Sequence, residues 1–122
     1  MSVPAVGAII HERREVLTEA DAKRVAELCG APDADTLAPA FVLALRTAIE
    51  SNVLPGGAIM LGHQARWLVP LRPAEYRTTM RVREADAPRR SYQRVVIGYT
   101  THDASGRVVL EQSQEVLWPI TS

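Results

Sequence analysis

The chain has 122 residues, 47% of them hydrophobic and 23% charged, the proportions of a globular protein with one buried core rather than of a disordered or fibrous one. Its 14 basic and 14 acidic side chains cancel, so no excess positive field draws it to nucleic acid or to anionic lipid, and neither partner is expected. No apolar run approaches the ~20 residues of a membrane span, and the start MSVPAVGAII lacks the basic region and apolar run of a signal peptide, which predicts a single domain over 1–122 in the cytoplasm.

Gly7 to Leu17 (GAIIHERREVL) mixes branched apolar and charged residues without helical spacing and predicts a strand. Thr18 and Asp21 then have the spacing of a helix-opening capping box, with Asp in place of the commoner Glu, so a short helix is expected from Glu19 to Cys29. Gly30 and Pro32 stop it, and APDADT reads as a loop. Cys29 is the single cysteine, so no internal disulfide forms, and without a basic neighbour its thiol reads as inert.

Pro39, at a first helical position, introduces Ala40 to Asn52, where Phe41, Val42, Leu43, Ala44, Leu45, Ala48 and Ile49 leave few polar sites. A long buried helix is expected there, ended by the turn LPGG. From Ala58 the period becomes two-fold: Ile59, Leu61, His63, Ala65, Trp67 and Val69 share one predicted face, with Gln64 and Arg66 on the other. Pro70 and Pro73 bracket a turn, after which Tyr76, Thr78, Met80 and Val82 alternate with Arg77, Thr79, Arg81 and Arg83. Two further strands are expected over Ser91–Thr101 and Arg107–Trp118, joined by the hairpin turn DASG at Asp103 to Gly106. The order predicts an α+β fold, an antiparallel β-sheet wrapped around one long central α-helix. Such a sheet leaves a free edge, and a dimer joined along it or back to back is the expected remedy.

The stretches VLTEADAKRVAELCG, TLAPAFVLAL and ARWLVPLRPAEY, in this order, resemble the hot-dog superfamily and within it the MaoC-like hydratases and dehydratases. The resemblance runs from about Glu15 to Trp118 and implies an acyl thioester ligand, on coenzyme A or on an acyl carrier protein, bound by a homodimer or by a pairing with a paralogous hot-dog chain. Two departures stand out. Ala74 and Glu75 occupy the places of a usual Gly-Asp pair. Between Gly30 and Thr36, Ala31 stands where the family has its catalytic Asp, and no histidine follows until His63, so no catalytic residue carries over by position. What carries over is the start of the central helix, where the Ala40 amide, beside Pro39 and Phe41, would donate to the thioester carbonyl; otherwise these residues only begin a buried helix.

Other residues of this chain have the chemistry to act. Asp33 and Asp35 are loop carboxylates that, if desolvated, would serve as a general base, and otherwise Asp35 caps the helix while Asp33 is solvated. His63 is the histidine of an apolar strand face, fit to move a proton or donate to a carbonyl, or else to sit satisfied in a core or dimer interface. Arg66 belongs with Arg77, Arg81, Arg83, Arg89 and Arg90 to a set of guanidiniums suited to phosphates or an acidic carrier, unless they form an ordinary solvated strand face. Trp67, Trp118 and Phe41 read as core or interface anchors. Scattered histidines and one cysteine lack metal-ligand spacing, and no phosphate loop, dinucleotide fingerprint or serine elbow occurs, so neither a metal nor a cofactor is expected.

Overall fold

The computed structural model describes residues 3–29, 54–69 and 72–120. Strand β1 (Ile9–Leu17) is followed by helix α1 (Glu19–Cys29) and then by β2 (Ile59–Trp67), β3 (Ala74–Ala85), β4 (Tyr92–Asp103) and β5 (Val108–Pro119). The helix expected over Ala40–Asn52, the loop before it and Pro70 lie outside the described residues.

Local chemistry sets the element ends. The Thr18 hydroxyl accepts from the Asp21 amide at 3.1 Å while the Asp21 carboxylate accepts from the Thr18 amide at 3.3 Å, so both orphan donors at the start of α1 are satisfied reciprocally. At the β4–β5 turn, Asp103 Oδ1 accepts from the Ser105 amide at 2.9 Å, the Ser105 hydroxyl at 2.6 Å and the Arg107 amide at 3.1 Å. Gly106 there has a φ of 88°, in the region that glycine enters without steric cost. Before β3, the Tyr76 hydroxyl donates to the Arg72 carbonyl at 2.6 Å and accepts from the Arg72 amide at 3.1 Å, fixing the chain that enters the strand.

The strands form one antiparallel sheet in the order β1-β3-β4-β5-β2. Two faces follow from the pairing. On the covered face, Met80 opposes Tyr99 and Val82 opposes Ile97 across β3–β4, while Val95 opposes Val116 across β4–β5. These side chains, with Trp118, form one buried cluster, and Leu17, Tyr76, Val109 and Leu110 form a second. Each large apolar side chain so buried contributes about 1.5–3 kcal/mol. Two strands are edges, and β2 is the more exposed of them: Ile59, Met60, Leu61 and Trp67 all meet solvent.

In β2 the pattern read from the sequence is altered. A bulge between Met60 and Gly62 makes Leu61 an extra residue, so Met60 opposes Val116 on the covered face and Ile59 opposes Leu117 on the other. His63, Ala65 and Trp67 keep the predicted face. Trp118 is 3% exposed, as a core anchor should be, whereas Trp67 is 45% exposed and belongs to neither buried cluster of the described residues. Among the described residues no helix is long and apolar enough to cross a membrane.

Candidate functional site

The covered face of the sheet is not uniformly apolar. Reading directly opposed residues across it gives Arg13, Thr78, Thr101 and Leu110 in one row, and His11, Met80, Tyr99, Gln112 and Ala65 in the next. A third row holds Val82, Ile97, Gln114 and His63. Polar side chains thus stand between the two apolar clusters. They are joined in pairs: the Thr78 and Thr101 hydroxyls lie 2.8 Å apart, the Tyr99 hydroxyl donates to Gln114 Oε1 at 2.7 Å, and His63 Nε2 lies 2.9 Å from Gln112 Oε1.

Burial makes this band energetically consequential. Gln112 is 3% exposed and Gln114 1%, yet among the described residues the Nε2 group of each has no hydrogen-bond partner. A buried donor left in that state costs about 1–3 kcal/mol. Because each amide oxygen is already engaged, the free end of both side chains is the donating NH2. With Gln112 Oε1 able only to accept, the hydrogen bond between them is donated by the His63 Nε2–H. His63 is exposed on the edge strand, so the band runs from solvent at His63 to the sealed Gln114 and Tyr99.

At the other edge, Glu15 is a carboxylate only 4% exposed, opposite Tyr76, with Arg13 Nε 3.3 Å from its Oε1. Pairing with a neighbouring guanidinium is the ordinary condition for burying such a charge. Neither Glu15 nor the two glutamines were singled out from the sequence. The signal was there: Gln112 and Gln114 fall in phase with Leu110, Val116 and Trp118, and Glu15 in phase with Leu17, so polar residues occupy positions that two-fold alternation assigns to the core.

The opposite face carries further ion pairs. Arg14 grips Glu75 with Nε 2.5 Å from Oε1 and Nη2 2.9 Å from Oε2, giving Glu75 a cross-strand partner on β1. Arg94 lies 3.1 Å from Glu115, 3.4 Å from Asp86 and 3.9 Å from Glu84. The hydrogen bond to Glu115, followed by the negative charges of Glu115, Asp86 and Glu84, holds its guanidinium above the usual arginine value despite some desolvation. Arg83 packs close to Gly98, where an added Cβ would sit 2.6 Å from the arginine Cδ and Nε.

The two-fold alternation expected from the sequence holds across His63 to Trp67. His63 and Trp67 share the covered face, whereas Arg66, opposite Glu111, is exposed on the charged one. Asp33, Asp35, Pro39, Ala40 and Phe41 lie outside the described residues. Among the described residues no cluster of His, Cys, Asp or Glu is arranged to hold a metal ion.

No protein-family model matches the sequence, and no curated protein matches it. Solved structures do match in fold. A MaoC-like dehydratase from Rhodospirillum rubrum superposes with a TM-score of 0.74 at 20% identity, over 98% of this chain and 96% of that one. The unliganded R-hydratase PhaJ1 from Pseudomonas aeruginosa gives 0.72 at 21% identity, over 97% and 84%. A hot-dog-like protein from Thermanaerovibrio acidaminovorans gives 0.63 at 17% identity, over 96% and 84%. The fold is the hot-dog fold.

Proposed function

We propose that this hot-dog domain binds an acyl thioester, presented on coenzyme A or on an acyl carrier protein, and serves the hydration or dehydration chemistry of MaoC-like proteins. The observation that carries the reading is the near end-to-end superposition on a MaoC-like dehydratase, with a TM-score of 0.74 over 98% of the chain. Reversible addition of water to a 2-enoyl thioester needs a group that takes the proton next to the carbonyl, a group that protonates the departing hydroxyl, and donors for the oxygen that gains charge. For the last task the Ala40 amide, flanked by Pro39 and Phe41, is the assigned donor. For proton transfer this chain lacks the usual Asp and His after its small helix. His63 is the group we assign instead, an imidazole on the covered face held through Nε2 by Gln112 Oε1. Trp67, on the same face, would border the acyl chain, and Arg66 would meet a phosphate or an acidic carrier from the opposite face.

The partner is a second copy or a paralogous hot-dog chain, joined along β2. Support for this comes from the exposed Ile59, Met60, Leu61 and Trp67 on a strand whose outer edge is unpaired within the sheet. A paralogous partner would also supply the missing dyad.

Purified protein incubated with crotonyl-CoA should add water across the double bond, seen as loss of enoyl absorbance, and His63→Ala should abolish it. Release of free CoA from saturated acyl-CoAs, with loss of that release in Asp35→Ala or Asp33→Ala, would instead make the protein a thioesterase with a loop carboxylate as base. Silence in both assays would leave a non-catalytic subunit.

A further inference from the structure

The polar band raises a question that a plain hydrocarbon ligand does not answer. A site for an unsubstituted acyl chain is best lined by apolar side chains, since every buried amide facing hydrocarbon loses a hydrogen bond it had in water. Here two carboxamides stand two residues apart on one strand face, Gln112 at 3% exposure and Gln114 at 1%, and the Nε2 group of each is unpartnered among the described residues. Their orientation is fixed from behind. Tyr99 donates to the oxygen of Gln114, and His63 Nε2 holds the oxygen of Gln112, so the donating ends are what both side chains have left to offer. Same-face residues two apart along a strand are separated by about 7 Å, the reach of a few bonded carbons. His63, exposed on the edge strand and touching Gln112, marks where the band opens to solvent.

From this placement we infer that Gln112 and Gln114 form an acceptor-recognising subsite, and that the preferred acyl group carries an additional oxygen, as a keto, hydroxyl or carboxyl group, beyond those of the thioester and the hydroxyl that is added or removed. The inference rests on the thioester reading. It names the kind of chain that site takes: an oxygenated acyl group whose second oxygen accepts hydrogen bonds from the buried amides. Discrimination would follow from the same desolvation that makes unpartnered amides costly. An acyl chain that brings an acceptor satisfies them, and one that brings only methylenes leaves them bare.

The test is a calorimetric titration with octanoyl-CoA and with its monoketo derivatives, the keto oxygen stepped along the chain beyond the hydroxyl-bearing carbon. At least one keto derivative should bind about tenfold or more tightly than octanoyl-CoA. In Gln112→Leu and Gln114→Leu that advantage should collapse while octanoyl-CoA binds as well as before or better. Should either leucine variant fail to fold, Gln→Met at the same position serves in its place, and the wild-type comparison decides by itself. Equal affinity of the wild type for all these probes would overturn the inference and leave the thioester reading standing, as would a keto preference that survives in both variants. Absence of binding by every probe would overturn the thioester reading and the subsite together.

Discussion

Asp103 closes the β4–β5 turn by accepting three hydrogen bonds on one oxygen, two from Ser105 and one from Arg107. The bond from the Ser105 hydroxyl is the largest cause, and with those from the Arg107 and Ser105 amides it outweighs desolvation and holds the carboxyl below the usual aspartate range. A depressed folded-state pKa contributes stability that is present above the unfolded value and is lost as pH falls through the folded one. Thermal melts of the wild type and of Asp103→Asn should therefore differ at neutral pH, with the wild type more stable, and converge as the pH drops below the carboxylate range. Gly98 offers a second residue-scale prediction. Its missing Cβ is what lets Arg83 lie across β4, so Gly98→Ala should displace the arginine at a cost of roughly 1 kcal/mol, and adding Arg83→Ala should remove most of the penalty in a double-mutant cycle. The turn at Asp103 was legible in DASG because its chemistry is local. The accommodation of Arg83 was not, since Gly98 and Arg83 meet only through the pairing of β3 with β4.

The same division holds for whole elements. Helix α1 spans Glu19–Cys29, the bounds read from Thr18, Asp21 and Gly30, because caps are set within a few residues of the ends they define. Thr18→Ala should cost about 1 kcal/mol of stability by denaturant melt, with loss of far-ultraviolet helix signal below the transition. Strand β3 was legible from alternation, and β4 and β5 from β-rich runs on either side of the DASG turn. In β2 the bulge at Leu61 was not, because a bulge is fixed by the register against β5 rather than by the residues of the strand alone. Position in the sheet then decides what a side chain contributes. Ile97, fully buried on central β4, should cost about 2–5 kcal/mol when changed to Ala, whereas Ile9, half exposed on edge strand β1, should cost within about 0.5 kcal/mol.

For the whole molecule, the order of elements and three stretches that resemble one superfamily made the hot-dog fold legible in the sequence. The strand order β1-β3-β4-β5-β2 added what the sequence could not supply: which strands are neighbours and which lie at the edges. That order puts His63 beside Gln112 across β2–β5, a contact between residues 49 apart in the chain, and it turns Arg66 away from them. It also leaves β2 open to a partner. Leu61→Lys, on the exposed bulge of that strand, should shift a dimer toward monomer in light scattering while leaving the monomer folded. The central claim, that this fold holds an acyl thioester, is tested most directly by calorimetric titration of the wild type with acyl-CoA and, in parallel, with CoA bearing no acyl group. Saturable binding of acyl-CoA, much tighter than that of CoA alone, is the predicted result. No binding of acyl-CoA, or binding no tighter than CoA itself, would contradict it.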